Sequence, residues 1–585
     1  MRRGETAHCP IRTKRGEVVQ YLVLACDYDG TLAKDGIVDQ QTVQALERVV
    51  ASGRKLVLVT GRILEDLQLV FPRLDLFTYI VAENGALLYH PASSSEQVLA
   101  EPPPAQFVRT LQARGVQPLQ TGHVIVATSQ PHQTTALEVI REQGLERQVI
   151  FNKGSVMILP TGVNKGSGLT TALNELKCSP HNVVGIGDAE NDHSFLDMCE
   201  CAVAVANALP ALKEKADYTT QAARGEGVSE LVDMLLADDL RQIDQQISRH
   251  TLVLGQGPNG ESVHINARHA NVFIVGPSGS GKSTMAMNLL EQLVEQMYQF
   301  CLIDPEGDYE TFQGAITLGD THKEPSVPEI IQLLEKSEQS AIVNLLGRPL
   351  ADRPTFFRNL LPALQDVQTR FGHPHWLILD EAHHLFPPEW DTSLLERMHD
   401  LFTLLFISAH PDHVSKRVLA LADVVVVVGE HAPLPVFAEA VGQPVPEVAP
   451  TSLEAGEVLV WFRRTKQAPL RLRARAPKDE HTRHRRKYAE GDLAEDVSFY
   501  FRGPQGKLRL RAQNLILFAQ IAEGVDDETW LFHLHQGDYS RWFRQVIKDE
   551  DLAAEAASIE KQERLSARES RASIQSAIQK RYTLP

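Results

Sequence analysis

The stretch Tyr21–Ala33, YLVLACDYDGTLA, places two aspartates at the end of a short apolar run and decides how the first part of the chain folds. Residues two apart in a strand point to the same side, so Asp27 and Asp29 can reach one point just past the strand. In open α/β sheets, ligands bind at the carboxyl ends of the strands. Two adjacent carboxylates repel each other unless a proton or cation lies there, and Mg²⁺ prefers oxygen ligands. We therefore predict a magnesium site at this position.

Further apolar runs alternate with amphipathic segments as far as about residue 237, among them KLVLVTG, TYIVAEN, NVVGIGD and CAVAVAN. This alternation predicts βα units around a parallel sheet. The segment from about 88 to 159 interrupts the alternation. It opens with HPASSSEQVLAEPPPAQ, which predicts a loop rich in Ser and Pro, and it continues with short strands and helices. We interpret it as an inserted α+β cap.

Other polar residues stand where strands end or helices begin in this part of the chain. Thr60 ends the run KLVLVT and offers a hydroxyl and a backbone donor to a phosphate oxygen. Lys165, at the start of a helix in GVNKGSGL, supplies a positive charge for phosphate. Asp188 ends NVVGIGD and Asp192 lies about one turn further, so both add acidic groups for the metal.

These motifs, in this order, make residues 20–237 resemble the phosphatase branch of the haloacid dehalogenase superfamily. The cap position is similar to that of sucrose-phosphatase-like and archaeal phosphoglycolate phosphatases. The resemblance implies a Rossmann-like core in which Asp27 attacks phosphorus and Asp29 acts as acid and base. It implies that Thr60 and Lys165 hold the phosphoryl group of a small ester, a sugar phosphate or a phosphoglycolate-like compound. The implied Mg²⁺ ligands are Asp27, Asp29, Asp188 and Asp192.

A second phosphate-handling motif lies in Asn271–Leu290, NVFIVGPSGSGKSTMAMNLL. It fits G-x-x-x-x-G-K-[ST] between an apolar strand and a helix, where backbone N–H groups and the helix N-terminus form an anion nest. Lys282 is expected to reach the β- and γ-phosphates of ATP, and Ser283 to bind Mg²⁺. The predicted ATP-binding residues are Gly276, Gly279, Gly281, Lys282, Ser283 and Thr284.

The run HWLILDEAHH, about 100 residues downstream, completes a set of residues for ATP hydrolysis. Asp380 is expected to hold Mg²⁺ and Glu381 to polarise the attacking water. His383 and His384 are interpreted as packing or solvent-facing residues. Together with CLIDPEGDYE and LLFISAHPDHV, these motifs make most of 251–465 similar to the HerA and FtsK group of P-loop motors, many of which form rings on DNA. In that group a strand-end Gln is common, and Ser408 or His410 takes its place here.

Composition narrows the possible classes of protein. The formal net charge of −17 over 585 residues opposes a nucleic-acid binder held by overall charge. The six cysteines do not suggest a disulfide framework, and no apolar run approaches the ~20 residues of a membrane span. We expect a cytoplasmic protein with no membrane partner.

The sequence predicts an α/β architecture in several parts. These are an N-terminal tail (1–19), the capped core (20–237), a linker (238–250), the P-loop domain (251–476), a charged linker (477–492) and a small helical C-terminal domain (493–585). The favoured function is a Mg²⁺-dependent phosphomonoesterase fused to an ATPase, with a homo-oligomeric ring as a further expectation. Two alternatives stay open: a nucleic-acid end-processing enzyme, such as a polynucleotide kinase-phosphatase, and an ATP-dependent regulatory switch.

Overall fold

A computed structural model gives the fold of the chain. It describes residues 19–152, 154–244, 247, 249–277, 279–388, 398, 400–429, 433–448, 453–465, 467–478, 493, 498–547, 549–562 and 565–582. The chain divides into two compact units, one of residues 1–305 with 312–478 and one of 306–311 with 479–585. The predicted N-terminal tail lies outside the described residues except for Val19, and so does the charged linker beyond Lys478. Among the described helices, none has both the length and the apolar character needed to cross a membrane.

The first part of the chain forms an eight-stranded sheet and a separate four-stranded sheet. Its strands are β1 Val23–Cys26, β2 Lys55–Val59, β3 Tyr79–Ala82, β4 Leu87–His90, β5 Ser95–Val98, β6 Gln120–Thr121, β7 Val126–Ser129, β8 Arg147–Asn152, β9 Ser155–Pro160, β10 Val183–Gly187, β11 Cys201–Ala204 and β12 Tyr218–Thr219. The large sheet has the order β12-β11-β10-β1-β2-β3-β4-β5, and the small one the order β6-β7-β9-β8. β1 pairs in parallel with β2 and β10, so their carboxyl ends share one edge.

The small sheet belongs to the inserted cap, which begins later than the sequence suggested. The sequence predicts a cap from about residue 88 and a loop over HPASSSEQVLAEPPPAQ, yet β4 and β5 pair as an antiparallel hairpin at the edge of the large sheet. All four residues of β5 are exposed. An edge strand that buries no side chain shows no pattern of apolar residues, so the sequence does not predict it.

The second part of the chain builds one eleven-stranded sheet. Its strands are β13 Thr251–Gln256, β14 Ser262–Asn266, β15 Val272–Val275, β16 Phe300–Asp304, β17 Ile316–Leu318, β18 Ala341–Asn344, β19 Trp376–Leu379, β20 Thr403–Ser408, β21 Val424–Val428, β22 Glu457–Phe462 and β23 Leu470–Ala474. The order is β14-β13-β23-β22-β21-β15-β20-β19-β16-β18-β17. The strand that precedes the glycine-rich loop, β15, is thus separated from β19 by β20.

Helices cover both sheets. Those of the larger unit are α1 Gln40–Ala51, α2 Leu64–Val70, α3 Ala105–Ala113, α4 Gln133–Glu142, α5 Lys165–Leu176, α6 His193–Leu196, α7 Pro210–Lys215, α8 Arg224–Asp238, α9 Arg241–Asp244, α10 Lys282–Glu295, α11 Val327–Leu334, α12 Arg353–Phe371, α13 Lys416–Leu421 and α14 Leu434–Ala440.

The smaller unit contains a hairpin as well as helices. The strands β24 Phe499–Phe501 and β25 Leu510–Ala512 pair antiparallel. The helices are α15 Leu515–Gly524, α16 Asp527–Gln536, α17 Asp538–Trp542, α18 Glu550–Glu560 and α19 Ala567–Tyr582. Phe501, Phe518 and Trp530 are buried in its core. The hairpin was not predicted, because three-residue strands are too short to show a period.

The two large sheets meet through residues at the amino ends of their strands. His181 and Glu200, just before β10 and β11, contact Arg268 and Tyr298, just before β15 and β16. Glu200 accepts hydrogen bonds from the Tyr298 hydroxyl at 2.9 Å and from the ring of His181 at 2.5 Å, with Arg268 Nε 3.5 Å away. The other ring nitrogen of His181 lies 2.6 Å from the carbonyl oxygen of Gln296. Each sheet therefore keeps its carboxyl edge, where ligands bind, away from the contact.

Candidate functional sites

Asp27 and Lys165 meet at the carboxyl edge of the first sheet. Asp27 follows β1, and its backbone N–H donates to Ile186 in β10 at 3.0 Å. Asn164 caps α5 through a reciprocal pair of hydrogen bonds with Ser167, which fixes Lys165 as the first helical residue. The Lys165 ammonium then donates to Asp27 Oδ1 at 2.5 Å and to Asp192 Oδ1 at 2.6 Å. The structure thus brings together three residues that the sequence placed in one site.

Asp188 joins this group and makes it strongly acidic. Carboxylate oxygens of Asp27, Asp188 and Asp192 lie within 4.8 Å of one another, and all three residues are buried. Asp192 Oδ2 accepts the backbone N–H groups of Asp188 and Ala189 at 2.8 and 2.9 Å, which fixes its orientation. Against the single ammonium of Lys165, three carboxylates leave two formal negative charges. A divalent cation with oxygen ligands matches both that charge and the donor set.

The protonation of Asp27 reflects the same crowding. Burial and the neighbouring charge of Asp192 raise the pKa of Asp27 to about 7, although Lys165 opposes them. Burial alone would lower the pKa of Lys165, but the charges of Asp192 and Asp27 outweigh it and the pKa is raised. Lys165 is therefore an ammonium at neutral pH, whereas Asp27 needs more positive charge nearby to be fully ionised.

The side chain of Asp29 lies outside the three-carboxylate group. Arg62 donates to both of its carboxylate oxygens at 2.7 Å, and also to Asp66 at 2.7 Å. The carboxylate of Asp29 was expected among the metal ligands, yet in the structure a bidentate ion pair holds it. Arg62 was not singled out from the sequence; its place directly after the Thr60 motif was the available signal.

Thr60 directly follows β2, at the strand end where the sequence placed it. β1 and β2 pair with Cys26 opposite Leu58, so Thr60 and Asp27 follow neighbouring strands. Thr60 is buried, its N–H donates to Val81 at 2.8 Å, and its hydroxyl oxygen accepts the N–H of Arg62 at 3.1 Å.

Glu83 attaches the cap to the core, and nothing in its sequence context predicted this. Its buried carboxylate accepts the backbone N–H groups of three consecutive cap residues, His123, Val124 and Ile125, at 2.8, 2.8 and 3.0 Å. Three donors from one loop therefore hold the cap to the core. Two asparagine side chains make further hydrogen bonds near the carboxylate group. Asn191 donates to Asn84 at 3.1 Å, and Asn207 donates to the carbonyl oxygen of Gly30 at 2.8 Å.

The backbone of the glycine-rich loop favours or requires glycine at three of its described positions. Gly279 and Gly281 have φ of 82° and 109°, values that favour glycine. A Cβ on Gly276 would lie 2.0 Å from the carbonyl oxygen of Val428, so this position also requires glycine. α10 begins at Lys282, which places Ser283 and Thr284 in its first turn. The Lys282 ammonium donates to the carbonyl oxygen of Pro277 at 3.1 Å, within the loop it would share with phosphates.

Asp380 and Glu381 follow β19 at the same edge of the second sheet as the glycine-rich loop. Both are buried. Glu381 has φ 40° and ψ 55°, a left-handed conformation that a residue with a Cβ rarely adopts. Ser408 ends β20, and the ring of His383 lies 3.1 Å from its hydroxyl and 3.4 Å from Glu381. The sequence predicts that His383 packs or faces solvent, but the structure places it between these two polar groups.

A second group of possible ligands lies at the contact between the sheets, where ligand atoms of His181, Glu200 and His250 fall within 4.8 Å. The 2.5 Å between His181 Nδ1 and Glu200 Oε2 is a hydrogen-bond distance. Zinc bonds of about 2.0–2.2 Å to both atoms would need a wider spacing. A shared proton therefore accounts for the pair.

Comparison with known proteins places both sites within families. Residues 24–112 and 120–232 match the model of the haloacid dehalogenase-like hydrolases, and residues 266–417 match that of an AAA domain. The second match confirms a P-loop ATPase-type domain, while the narrower resemblance to HerA and FtsK stays a prediction.

Individual relatives match the first part of the chain. A phosphoglycolate phosphatase of Methanothermobacter thermautotrophicus is 32% identical over 219 residues, which is 36% of this chain and 96% of the relative. Phosphoglycolate phosphatase 2 of Saccharolobus solfataricus is 29% identical over 231 residues, 38% of this chain and 96% of that protein. A solved haloacid dehalogenase-like hydrolase from Bacteroides thetaiotaomicron is 20% identical, with a TM-score of 0.32, and covers 37% of this chain and 99% of its own.

Proposed function

The chain belongs to the haloacid dehalogenase-like hydrolases through residues 24–232, and from this premise we propose that it hydrolyses a small phosphate monoester with Asp27 as the nucleophile. The observation that carries the proposal is the buried group in which Lys165 bridges Asp27 and Asp192. A lysine held between two carboxylates at a strand end is positioned to neutralise the oxygens of a phosphoryl group.

The reaction follows from the roles of the side chains. A carboxylate oxygen of Asp27 bonds to phosphorus while the ester P–O bond breaks, and Asp29 gives the leaving oxygen a proton. Water then attacks the phosphorus of the aspartyl-phosphate, Asp29 takes a proton from that water, and inorganic phosphate and free Asp27 result. Lys165 and Thr60 hold the phosphoryl oxygens throughout.

Mg²⁺ fits the residues of the site. Asp27, Asp188 and Asp192 would hold it, and the bound ion would favour the ionised form of Asp27 and offset charge on the phosphoryl group. The ion pair between Arg62 and Asp29 keeps Asp29 outside this ligand group, and Asp29 must leave that pair to exchange a proton with the substrate.

The relatives indicate which substrates to test first. Several are named phosphoglycolate phosphatases, so we propose a small phosphorylated acid as the first candidate and a sugar phosphate as the second. The cap, held by Glu83, would exclude water from the site and select the ester.

For the second site we propose ATP hydrolysis. Lys282 and Ser283 would hold the phosphates and Mg²⁺, Asp380 would hold Mg²⁺, and Glu381 would polarise water. A water-polarising glutamate favours hydrolysis over transfer to a polynucleotide, which disfavours the polynucleotide kinase-phosphatase alternative. A motor that forms a ring, as in HerA and FtsK, is the narrower form of this proposal. A regulatory switch remains the alternative if ATP binds without turnover.

The test is a panel of phosphate esters with Mg²⁺, assayed for released phosphate beside an ATPase assay. Asp27→Asn keeps the shape of the side chain but removes the nucleophile, so ester hydrolysis should vanish while ATP hydrolysis persists. Lys282→Ala should show the reverse, because each sheet keeps its carboxyl edge away from the contact between them. Ester turnover at the wild-type rate by Asp27→Asn would refute the assignment, and loss of both activities in folded Lys282→Ala would show that the sites depend on each other.

A further inference from the structure

The ring of His383 links the two polar residues beside the proposed ATP site. Its Nδ1 lies 3.1 Å from Ser408 Oγ and 3.4 Å from Glu381 Oε2. A carboxylate only accepts hydrogen bonds, so Nδ1 must carry the proton for the contact with Glu381 to be attractive. The same proton is within reach of the serine oxygen.

Ser408 connects this histidine to the glycine-rich loop. It lies directly opposite Val275, the last residue of β15, and Gly276 follows at once. Its hydroxyl oxygen also accepts the backbone N–H of His410 at 3.0 Å. His383 therefore spans the distance between β19 and β20 at the edge where nucleotide phosphates are expected.

The backbone conformation of Glu381 must be stabilised by its surroundings. A left-handed conformation in a residue with a Cβ is strained and persists only where its surroundings impose it. The turn is closed by the N–H of His384, which donates to the carbonyl oxygen of Glu381 at 2.7 Å. This hydrogen bond fixes the backbone but does not orient the carboxylate.

Two neighbouring rings fix the orientation of His383 itself. Its ring centre lies 4.1 Å from that of His384 and 5.2 Å from that of His410, which meets it edge to face. A ring held on two sides can direct its Nδ1–H at a fixed point, as a side chain exposed to water cannot.

We propose that His383 is a positioning residue that directs the Glu381 carboxylate at the attacking water and links it to Ser408. The proposal rests on the proposed hydrolysis of ATP. Because His383 acts through Glu381, its removal should slow the chemical step without weakening the binding of ATP. A role in packing alone would instead change the binding of ATP, or the stability of the protein, together with the rate.

The full-length protein tests this with ATP and Mg²⁺. His383→Ala should lower kcat on the order of tenfold to a hundredfold, the size expected for losing one polar contact to a charged group, with KM nearly unchanged. His383→Asn, whose amide can donate from nearly the same position, should recover most of kcat. His264→Ala is the matched control, since this exposed histidine lies on the edge strand β14, away from β19 and β20, and should leave kcat unchanged.

A double mutant separates action through Glu381 from a general effect. In the Glu381→Gln background, single-turnover hydrolysis should be slow, and adding His383→Ala should slow it no further, because the residue it orients is already lost. A further tenfold loss in the double mutant, or a wild-type kcat in folded His383→Ala, would overturn the proposal. If the wild-type protein binds ATP but does not hydrolyse it, the proposed ATPase activity fails first, and this inference with it.

Discussion

Glu200 offers the most direct test of how the two large sheets are joined. Its carboxylate is buried, with 4% of the side chain exposed, and it faces Arg268, His181 and the Tyr298 hydroxyl. Glu200→Gln keeps the shape of the side chain but removes the negative charge. The guanidinium of Arg268 then stays buried without its carboxylate partner.

The structure sets the expected size of the effect. Removing one partner of a buried ion pair costs roughly 3–5 kcal/mol, because the remaining charge is left in a poorly solvated place. The matched control is an ion pair between the same two parts of the chain that lies at the surface. Lys177 Nζ and Glu335 Oε2 are 2.9 Å apart, and their side chains are 50% and 28% exposed. Glu335→Gln should cost about 0–1 kcal/mol.

The assay is equilibrium unfolding of the full chain in urea, comparing the first transition of the wild-type protein with that of each variant. The pH dependence gives a second check. Burial raises the pKa of Glu200, but Arg268 and His181 more than offset it and hold the pKa well below its ordinary value of 4.5. The contribution of Glu200 to the free energy of unfolding is therefore complete above about pH 4.5 and decreases as the pH falls below that value. The gap between wild-type and Glu200→Gln should narrow as the pH falls below that value. A loss no larger than that of Glu335→Gln at pH 7 would refute the view that Glu200 holds the sheets together.

Two further predictions concern ligands. Asp27 has a pKa of about 7 in the folded protein, against an ordinary value of 3.8. The metal-free protein therefore loses stability as the pH rises from 3.8 to 7, because the folded state must then give up a proton that it binds tightly. Mg²⁺ should consequently raise the melting temperature more at pH 8 than at pH 5. Calorimetry with and without a chelator checks this, and an equal rise in Asp188→Asn would place the ion elsewhere. Glu381→Gln should bind ATP without turnover and, if a neighbouring subunit completes the site, sediment as a larger homo-oligomer with ATP than without it. Unchanged sedimentation at all concentrations would contradict a ring.

The parallel sheets and both phosphate-handling motifs could be read from the sequence for one physical reason. A strand covered on both faces is apolar along its length, as in YLVLAC and VVVVV, and the polar residue that ends it stands out. Asp27 and Asp188 were recognised in this way and Lys165 by its place at a helix start, and the structure brings all three together. Glycines with positive φ at Gly279 and Gly281 follow from the same local rules.

Other features depend on residues that are distant in the chain and carry no local pattern. The pairing of Asp29 with Arg62, the hold of Glu83 on the cap and the contact of Glu200 with Arg268 join residues 33 to 68 positions apart. The edge strand β5 escaped notice because it buries nothing. The sequence does not predict that His383 lies beside Ser408, because that contact depends on the pairing of β19 with β20. Local sequence determines which residues lie at a strand end, because burial and backbone conformation act within a few residues. Only the folded chain decides which side chains those ends bring face to face, since that depends on the order in which the strands assemble.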